Sequence, residues 1–343
     1  MTNPGVTFGI MADLHVDIIP DPQQRLEVFL EACRRADVDF IIQLGDFCYP
    51  EDRKVICAPE NMPVNIRNAL TYPTWADKDA IISLYRNFEK PAFHVLGNHD
   101  CDMCAKEAVL RYYGVEQKAY YSFDMGGFHF VVLDPNYYLW EGEYRSFENG
   151  NYFDATGHTP PLLPFLPPEQ LEWLEADLAR AQYPAVLFSH QRLTPDPAAI
   201  VNAEALAPIL KNAPNGVVLA VNGHEHIDNA ALVEGTWFWN LNSIGNHWLG
   251  DDFTSPGRFG PEIDEKYPNI RYVAPYSQPL FAIVTLEKAG AHIRGTSAEF
   301  VGPSPEDLGV YAPGSRYHRA LRHGPITPRI EDRFLPFPTR ETD

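Results

Sequence analysis

Acidic, imidazole and amide side chains occur in five short motifs along this chain, and each motif follows an apolar run typical of a buried strand. The motifs are Asp13-Leu14-His15, Gly45-Asp46, Gly97-Asn98-His99-Asp100, Ser189-His190 and Gly223-His224-Glu225-His226. The predicted strands before them are Val6 to Ala12, Phe40 to Leu44, Ala92 to Leu96, Ala185 to Phe188 and Val217 to Val221. Open α/β sheets place their sites at the carboxyl ends of strands. The spacing therefore predicts that the motifs meet there as ligands of a two-metal hydrolytic centre.

A single motif of this kind would carry little weight, since Asp and His also cap helices and occupy turns. His190 alone is more often a core or turn histidine than a ligand, and its weight comes from its place between the third and fifth motifs. His94 and His129 lie inside apolar runs and are predicted to be ordinary strand residues. His247 follows a strand in a polar stretch, and the sequence leaves open whether it lines the cleft.

The complete set resembles that of the calcineurin-like metallophosphoesterases, whose pattern is D-x-H, GD, GNH followed by Asp or Glu, a separate His, and GHxH. No ligand position is substituted, and the resemblance covers the chain from about Val6 to His226. It implies an α/β (α+β) fold, a four-layer αββα sandwich of two mixed β-sheets flanked by helices. The motif set is specific for the superfamily and says little about the substrate.

In that family two cations roughly 3.5–4 Å apart clamp a phosphoryl group, and one carboxylate bridges them. The resemblance places Asp46 at the bridge, and a carboxylate has two oxygens to share. The residues implied for the first metal are Asp13, His15, Asp46 and His226. Those implied for the second metal are Asp46, Asn98, His190 and His224. Mixed imidazole and carboxylate ligation suits Mn, Fe, Zn or Co and does not select among them.

The resemblance assigns His99 to the reacting group, because the family uses the matching His to contact phosphate oxygen and to help protonate the leaving alkoxide. An imidazole with an ordinary pKa of about 6.5 can donate a proton at neutral pH. Asn98 is expected to stabilise charge beside it. Asp100 has two interpretations: a partner that orients or charges the His99 ring, or the N-cap of a helix over residues 102–113.

Length and composition indicate one large domain, because 343 residues with 45% hydrophobic and 21% charged content can bury a sizeable core. We predict this domain over residues 1–300, with inserted loops at about 47–79, 135–167 and 245–276, and a Pro-rich extension over 301–343. Helices are predicted to start at Pro22 and Pro168, and a hairpin to turn at Met125-Gly126-Gly127. Late strands are predicted around Trp237 to Leu241, Phe281 to Leu286 and His292 to Gly295.

The second insertion is rich in aromatic residues and is therefore not typical of disorder. These are Tyr137, Tyr138, Trp140, Tyr144, Phe147, Tyr152 and Phe153. They would form a lid over the metals or pack the loop onto its own body, and the sequence does not decide. The five cysteines are predicted to be thiols, with a redox or zinc role for Cys101 and Cys104 as the less favoured alternative.

Charge and hydropathy disfavour two classes of partner. A net charge of −19 opposes binding to duplex nucleic acid, which needs Lys and Arg patches. No apolar stretch approaches the ~20 residues that cross a bilayer, and the first strand follows Met1 without a basic and apolar leader. We therefore expect a cytoplasmic protein with no membrane partner, and the sequence leaves homo-oligomers open.

These features predict a dinuclear metal-dependent phosphoesterase that hydrolyses a small phosphodiester or nucleotide-type phosphoanhydride by in-line attack of a metal-bound hydroxide. Lys and Arg are sparse beside the motifs, with Arg192 the nearby one, which suits a singly charged diester. One alternative is a phosphomonoesterase acting on a small metabolite. Another is a non-catalytic scaffold that keeps the fold, although a scaffold has no need of His99.

Overall fold

Two six-stranded mixed sheets form the centre of the molecule. The structure is a computed structural model, and it describes residues 5–47, 75–102, 105–116, 118–153, 163–194, 199–315 and 324–338. The strands are, in chain order, β1 (Val6–Met11), β2 (Phe40–Gln43), β3 (Ala92–His94), β4 (Tyr121–Met125), β5 (Phe128–Val132), β6 (Tyr137–Trp140), β7 (Glu143–Ser146), β8 (Ala185–Ser189), β9 (Val217–Asn222), β10 (Asn229–Val233), β11 (Thr236–Asn240), β12 (Asn246–Trp248), β13 (Val273–Pro275), β14 (Ala282–Glu287), β15 (Gly290–Arg294) and β16 (Arg333–Pro336).

The strands that precede the five motifs are parallel neighbours within their sheets. The first sheet has the order β16-β15-β14-β1-β2-β3, in which β1, β2 and β3 run parallel. The second has the order β10-β11-β9-β8-β5-β4, in which β11, β9, β8 and β5 run parallel. Parallel strands end at the same edge of a sheet, so each sheet gathers its motifs along one edge.

Helices cover the outer faces of both sheets. They are α1 (Pro22–Arg35), α2 (Trp75–Arg86), α3 (Lys106–Tyr113), α4 (Pro168–Arg180) and α5 (Leu206–Asn212). A further helix, α6 (Pro261–Lys266), packs through Ile263 against a separate cluster that includes Ile18 and Ile270. Apolar residues of α1, α2 and α3 pack in one cluster against the first sheet, and those of α4 and α5 pack against the second. The four-layer αββα sandwich predicted from the sequence is confirmed.

The inner faces of the two sheets meet through aromatic side chains. Phe8 of β1 stacks on Phe40 of β2 with ring centroids 4.8 Å apart, and its ring meets Phe130 of the second sheet edge to face at 6.0 Å. Ile41, one residue after Phe40, points to the opposite face and joins the cluster under the helices. Side chains on a strand alternate between faces, and both faces of this sheet are covered, which explains its continuous apolar run.

Most predicted elements are confirmed. The five strands before the motifs form, α1 and α4 begin at the predicted prolines, the hairpin β4–β5 turns at Gly126 and Gly127, and the late strands are β11, β14 and β15. The two turn glycines have φ of 57° and 83°, as a two-residue hairpin turn requires. His94 and His129 are strand residues as predicted.

Two of the predicted insertions and the predicted extension contain secondary structure. Residues 135–167 contain the hairpin β6–β7, and residues 245–276 contain β12, α6 and β13. In the predicted extension over residues 301–343, β16 pairs with β15 at the edge of the first sheet. Most of the first insertion, residues 48–74, lies outside the described residues, as do Cys48, Cys57 and Cys104.

The aromatic residues of the second insertion are mainly packing residues. Tyr138, Phe147 and Tyr152 are buried, whereas Tyr144 of β7 is 40% exposed. Tyr137 is half-buried under the ammonium group of Lys106, which lies 3.9 Å from the ring centroid. The described part of this segment therefore packs onto the body of the protein, and its aromatic rings gain hydrophobic burial there.

One buried histidine lies between two carboxylates on the second sheet. His129 of β5 contacts Asp124 Oδ1 through Nδ1 at 2.6 Å and Asp177 Oδ2 through Nε2 at 2.9 Å. Burial lowers the pKa of His129, but its hydrogen bonds with Asp177 and Asp124 outweigh burial, so the pKa is raised. The ring joins β4, β5 and α4 through its contacts with these two carboxylates.

The contacts of His129 with Asp124 and Asp177 predict a pH-dependent contribution to the free energy of unfolding. A group whose pKa is raised by folding stabilises fully below its unfolded pKa of about 6.5, and the contribution is lost as pH rises through the folded value. His129→Gln should therefore destabilise the protein more at about pH 6 than at about pH 9. Urea unfolding at both values would measure this, with His292→Gln, an exposed strand residue, as the control. An equal loss at both values would contradict it.

Candidate metal centre

The five motifs meet in one cleft at the carboxyl ends of the parallel strands. Asp13 and His15 follow β1, Asp46 follows β2 and Asn98 follows β3 in the first sheet. In the second sheet His190 follows β8, and the fifth motif follows β9. The structure brings six of the seven predicted metal ligands into two neighbouring groups, and the seventh, Asn98, precedes His99, whose backbone N–H donates to Asp46 Oδ1.

These residues form two adjacent groups. Asp13, His15 and His226 make one, and the nearest ligand atoms in it all lie within 4.8 Å of one another. The second group has the same spacing and consists of Asp46, His190 and His224. Asp46 Oδ2 lies 3.0 Å from His190 Nε2 and 3.9 Å from His15 Nε2, so this carboxylate lies between the groups.

Several buried polar atoms of the centre fit ligation of a cation. Asn98 Oδ1 and His226 Nδ1 are buried and have no hydrogen-bond partner among the described residues, and Asp13 Oδ1 lies 3.2 Å from His226 Nε2. His190 Nε2 and His224 Nδ1 face each other at 3.2 Å. Buried polar atoms are ordinarily paired, and carboxylate, amide and imidazole atoms aimed at the same space suit transition metals. The residues present therefore fit two cations.

The backbone at these positions is held in an unfavourable conformation. Asp13, His15, Asp46, His224 and His226 all have positive φ, between 45° and 65°. For a residue with a side chain this region costs on the order of 1–3 kcal/mol and persists only where the surroundings enforce it. The fold thus uses strain to point these side chains into the cleft.

Two motif glycines allow the ligand loops to approach each other. A Cβ at Gly97 would collide with the carboxylate and backbone of Asp46. Gly45 has φ of 97°, and a Cβ there would lie 2.5 Å from Gly97 N and 2.6 Å from His190 Nδ1. Only glycine avoids these collisions, so the second and third motifs need it for packing.

The electrostatics of Asp46 favour its charged form. Burial raises the pKa of its carboxyl, but the imidazoles of His190 and His99 outweigh burial and hold the pKa well below its usual range. The carboxylates of Asp46 and Asp13 raise the pKa of His190 to about 9 despite its burial. Its Nδ1–H donates to Leu44 O at 2.7 Å, which leaves Nε2 facing the centre.

The structure corrects the interpretation of Asp100 as a helix N-cap. Its Oδ2 accepts the backbone N–H groups of Asp46 and Gly97 at 3.0 and 2.8 Å, and Oδ1 accepts those of Phe47 and the Tyr113 hydroxyl at 3.0 and 2.6 Å. The helix after it, α3, begins at Lys106 with Ala105 as its N-cap. Asp100 therefore joins the second and third motifs and does not cap that helix.

The described partner of the His99 ring is Asp102, a residue that the sequence analysis missed. His99 Nδ1 lies 2.7 Å from Asp102 Oδ2, and the carboxylate is fully buried while the imidazole is 24% exposed. Burial lowers the pKa of His99, but Asp102 and Asp46 outweigh it and raise the pKa to about 9. A 3₁₀ turn over His99–Cys101 brings residues three apart onto one side, and the His-x-x-Asp spacing was the available signal.

A second network that the sequence did not reveal supports the loop of His190. Asn136 Nδ2 donates to Leu96 O at 2.8 Å, and Gln191 Nε2 donates to Asn136 Oδ1 at 2.6 Å. Lys106 Nζ donates to Asp134 Oδ2 at 2.6 Å beside it. This network connects the ends of β3 and β8, which carry Asn98 and His190.

His247, which the sequence left open, lies next to the centre. Its Nδ1 lies 2.8 Å from the carbonyl oxygen of His226, and the two ring centroids are 6.2 Å apart. Burial lowers the pKa of His247 to about 3, so the ring is neutral at neutral pH and its Nδ1–H donates to that carbonyl. The residue is buried and supports the backbone of the fifth motif.

Cys33 and Cys101 are both buried thiols.

A family model described as calcineurin-like phosphoesterase matches residues 6–228, which is more than half of the chain. The chain belongs to this family. Membership makes the protein a metal-dependent phosphoesterase and implies a dinuclear centre, in agreement with the two groups of ligand residues. No curated protein matches the sequence of this chain. Among its described residues, no helix is long and apolar enough to cross a membrane.

Solved structures share the fold of this phosphoesterase at low identity. A dimetal phosphatase from Danio rerio is 18% identical with a TM-score of 0.60, and the match covers 88% of this chain and 100% of that one. GAP50, the anchor in the inner membrane complex of Plasmodium, is 13% identical with a TM-score of 0.50, over 98% of this chain and 90% of that one. The fold therefore occurs both in a phosphatase and in an anchor.

The position of Asp46 predicts that both cations depend on its charge. Asp46→Asn should lose metal at both groups and abolish turnover, because a neutral amide cannot offset two close positive charges. Elemental analysis of the purified variant would measure this. Asp228→Asn is the matched control, because that carboxylate binds Trp239 and Arg333 outside the two groups. Two metals per chain in an active Asp46→Asn protein would contradict the expected result.

Proposed function

We propose that this phosphoesterase hydrolyses a small phosphodiester or a nucleotide-type phosphoanhydride. The supporting observation is the origin of the charges in the cleft. Apart from burial, the side chains that most strongly shift the pKa values of Asp13, Asp46, His99 and His190 within the described part of the chain are imidazoles and carboxylates of the centre and Asp102, and none of them is Lys or Arg.

This charge distribution suits a substrate with one charge at phosphorus. A monoester dianion has two charges there and gains from additional cationic side chains. Lys106, a buried cation beside the site, is already paired with Asp134. A centre with few cationic side chains does not strongly favour a dianion. It therefore discriminates less against a diester, whose second organic group needs only space.

We assign the ligands according to the two groups. Asp13, His15 and His226 would hold one cation and His190, His224 and Asn98 the other, with Asp46 between them. Mn, Fe, Zn and Co all suit this donor set. Bound cations would supply charge neutralisation at the phosphoryl oxygens and a water of lowered pKa.

His99 has the geometry and charge of a general acid. Its Nδ1 is held by Asp102, so Nε2 is the ring nitrogen on the side away from that carboxylate, and the ring is partly exposed. A pKa raised to about 9 keeps the ring protonated at neutral pH. We infer that Nε2–H donates to the leaving oxygen, while Asn98 stabilises charge beside it.

The alternative of a non-catalytic scaffold is less well supported. The fold alone does not decide, since it is shared with an anchor protein. The strained backbone at five ligand residues favours a working metal centre over a scaffold, because strain of this kind persists mainly where a functional site needs it. A cytoplasmic location and a small phosphoester as the partner remain predictions.

The role of His99 predicts a dependence on the leaving group. His99→Ala should keep both metals and lower kcat by roughly 10²–10⁴ for substrates with poor leaving groups, the usual contribution of a general acid. p-Nitrophenyl esters should lose less, because p-nitrophenolate leaves without a proton. Rate measurements across a series of aryl and alkyl esters would show this. An equal loss across the series would leave His99 only an electrostatic or orienting role.

The proposed substrate class predicts a preference between two chromogenic esters. With the metals restored, kcat/KM should be higher for bis(p-nitrophenyl) phosphate than for p-nitrophenyl phosphate. The reason is that few cationic side chains of the described residues are available to bind a dianion. Parallel reconstitution with Mn, Co, Zn and Fe controls for metal identity. A higher value for the monoester with every metal would refute the substrate class and favour a phosphomonoesterase.

A further inference from the structure

Tyr152 reaches the centre from the second insertion. Its hydroxyl donates to Asp102 Oδ1 at 2.6 Å and accepts Asn98 Nδ2 at 3.4 Å, and the side chain is buried. Asp102 is thus bound on both oxygens, by Tyr152 on Oδ1 and by His99 on Oδ2. One hydroxyl group therefore contacts a residue before His99 in the sequence and a residue after it.

The insertion is built to hold this tyrosine in place. Its ring stacks on Phe147 with centroids 4.2 Å apart and planes 7° from parallel. Phe147 N–H donates to Asn136 O at 2.9 Å, and Gly150 N–H donates to Cys101 O at 3.2 Å. The second bond attaches the segment directly to the turn that carries His99. Both the ring and its backbone are therefore fixed relative to the centre.

We infer that Tyr152 is the residue that positions His99 and Asn98 for the reaction. This inference rests on the proposed phosphoesterase function and deepens it. A carboxylate bound on one oxygen can still rotate, whereas a hydroxyl on Oδ1 fixes its plane so that Oδ2 meets the His99 Nδ1–H. The ring then keeps one orientation and presents Nε2 to the cleft.

The same hydroxyl sets which end of the Asn98 amide faces the centre. Because Nδ2 donates to Tyr152, Oδ1 is turned the other way, and this buried oxygen has no hydrogen-bond partner in the described part of the chain. An amide oxygen can bind a cation, whereas an amide NH₂ group cannot. Tyr152 thus helps to assign Asn98 the role of a ligand.

Tyr152→Phe tests this, since it keeps the ring stacked on Phe147 and removes only the hydroxyl. We expect kcat for poor leaving groups to fall about 10–100-fold at saturating metal, the usual cost of losing a residue that orients a catalytic group. KM should change little. Tyr144→Phe is the matched control, because it removes an exposed hydroxyl from the same insertion and should have no effect.

A double variant separates positioning from general stability. If Tyr152 acts mainly through His99, adding Tyr152→Phe to His99→Ala at saturating metal should lower kcat by much less than the roughly 10–100-fold expected in the parent, because only the effect through Asn98 is left. Fully multiplied losses in the double variant would overturn the inference and indicate an independent structural role. Thermal unfolding of each variant would show whether the fold is intact. If Tyr152→Phe does not fold, 3-fluorotyrosine at position 152 must change kcat more in the parent than in His99→Ala.

A spectroscopic measurement on the metal-free protein needs no turnover. The parent should show a slowly exchanging Nδ1–H resonance for His99 in ¹⁵N-histidine spectra, identified by its loss in His99→Gln. Tyr152→Phe should broaden or abolish this signal, because the Asp102 carboxylate is released; an unchanged signal would overturn the inference. If the metal-loaded parent hydrolyses no phosphoester, the proposed function fails, and this measurement still decides the role of Tyr152.

Discussion

The arrangement of the cleft depends on one buried carboxylate, that of Asp46. Its Oδ1 accepts the backbone N–H of His99 at 2.8 Å, and its Oδ2 lies between the two groups of ligand residues. Its own backbone N–H is held by Asp100. The loops after β1, β2, β3 and β8 all contact this residue or its partners, so a small displacement here would move both groups at once.

Elements with local causes could be predicted from the sequence, and contacts between distant residues could not. The strands before the motifs have apolar runs long enough to identify them, and the motif order indicated which loops converge. The partner of His99 was not accessible in this way. Asp100 and Asp102 are both acidic and close in sequence, and only the 3₁₀ turn decides which one faces the ring.

The second insertion shows why composition alone is a weak guide to a segment's role. Its aromatic residues were compatible with a lid or with packing, because both bury rings. Tyr138 and Phe147 pack on each other and are buried, whereas the polar end of Tyr152 reaches the third motif. Tyr152 and Asp102 are 50 positions apart, and the sequence has no periodic pattern that would pair them.

The left-handed backbone at the ligand residues couples function to the lifetime of the protein. The metal-free chain bears the strain at these positions together with the crowding of buried carboxylates and imidazoles. A cation that binds only the folded state compensates both, and it shifts the folding equilibrium by mass action. The supply of metal in the surroundings would then determine how much of this protein escapes unfolding and proteolysis, as well as how fast it works.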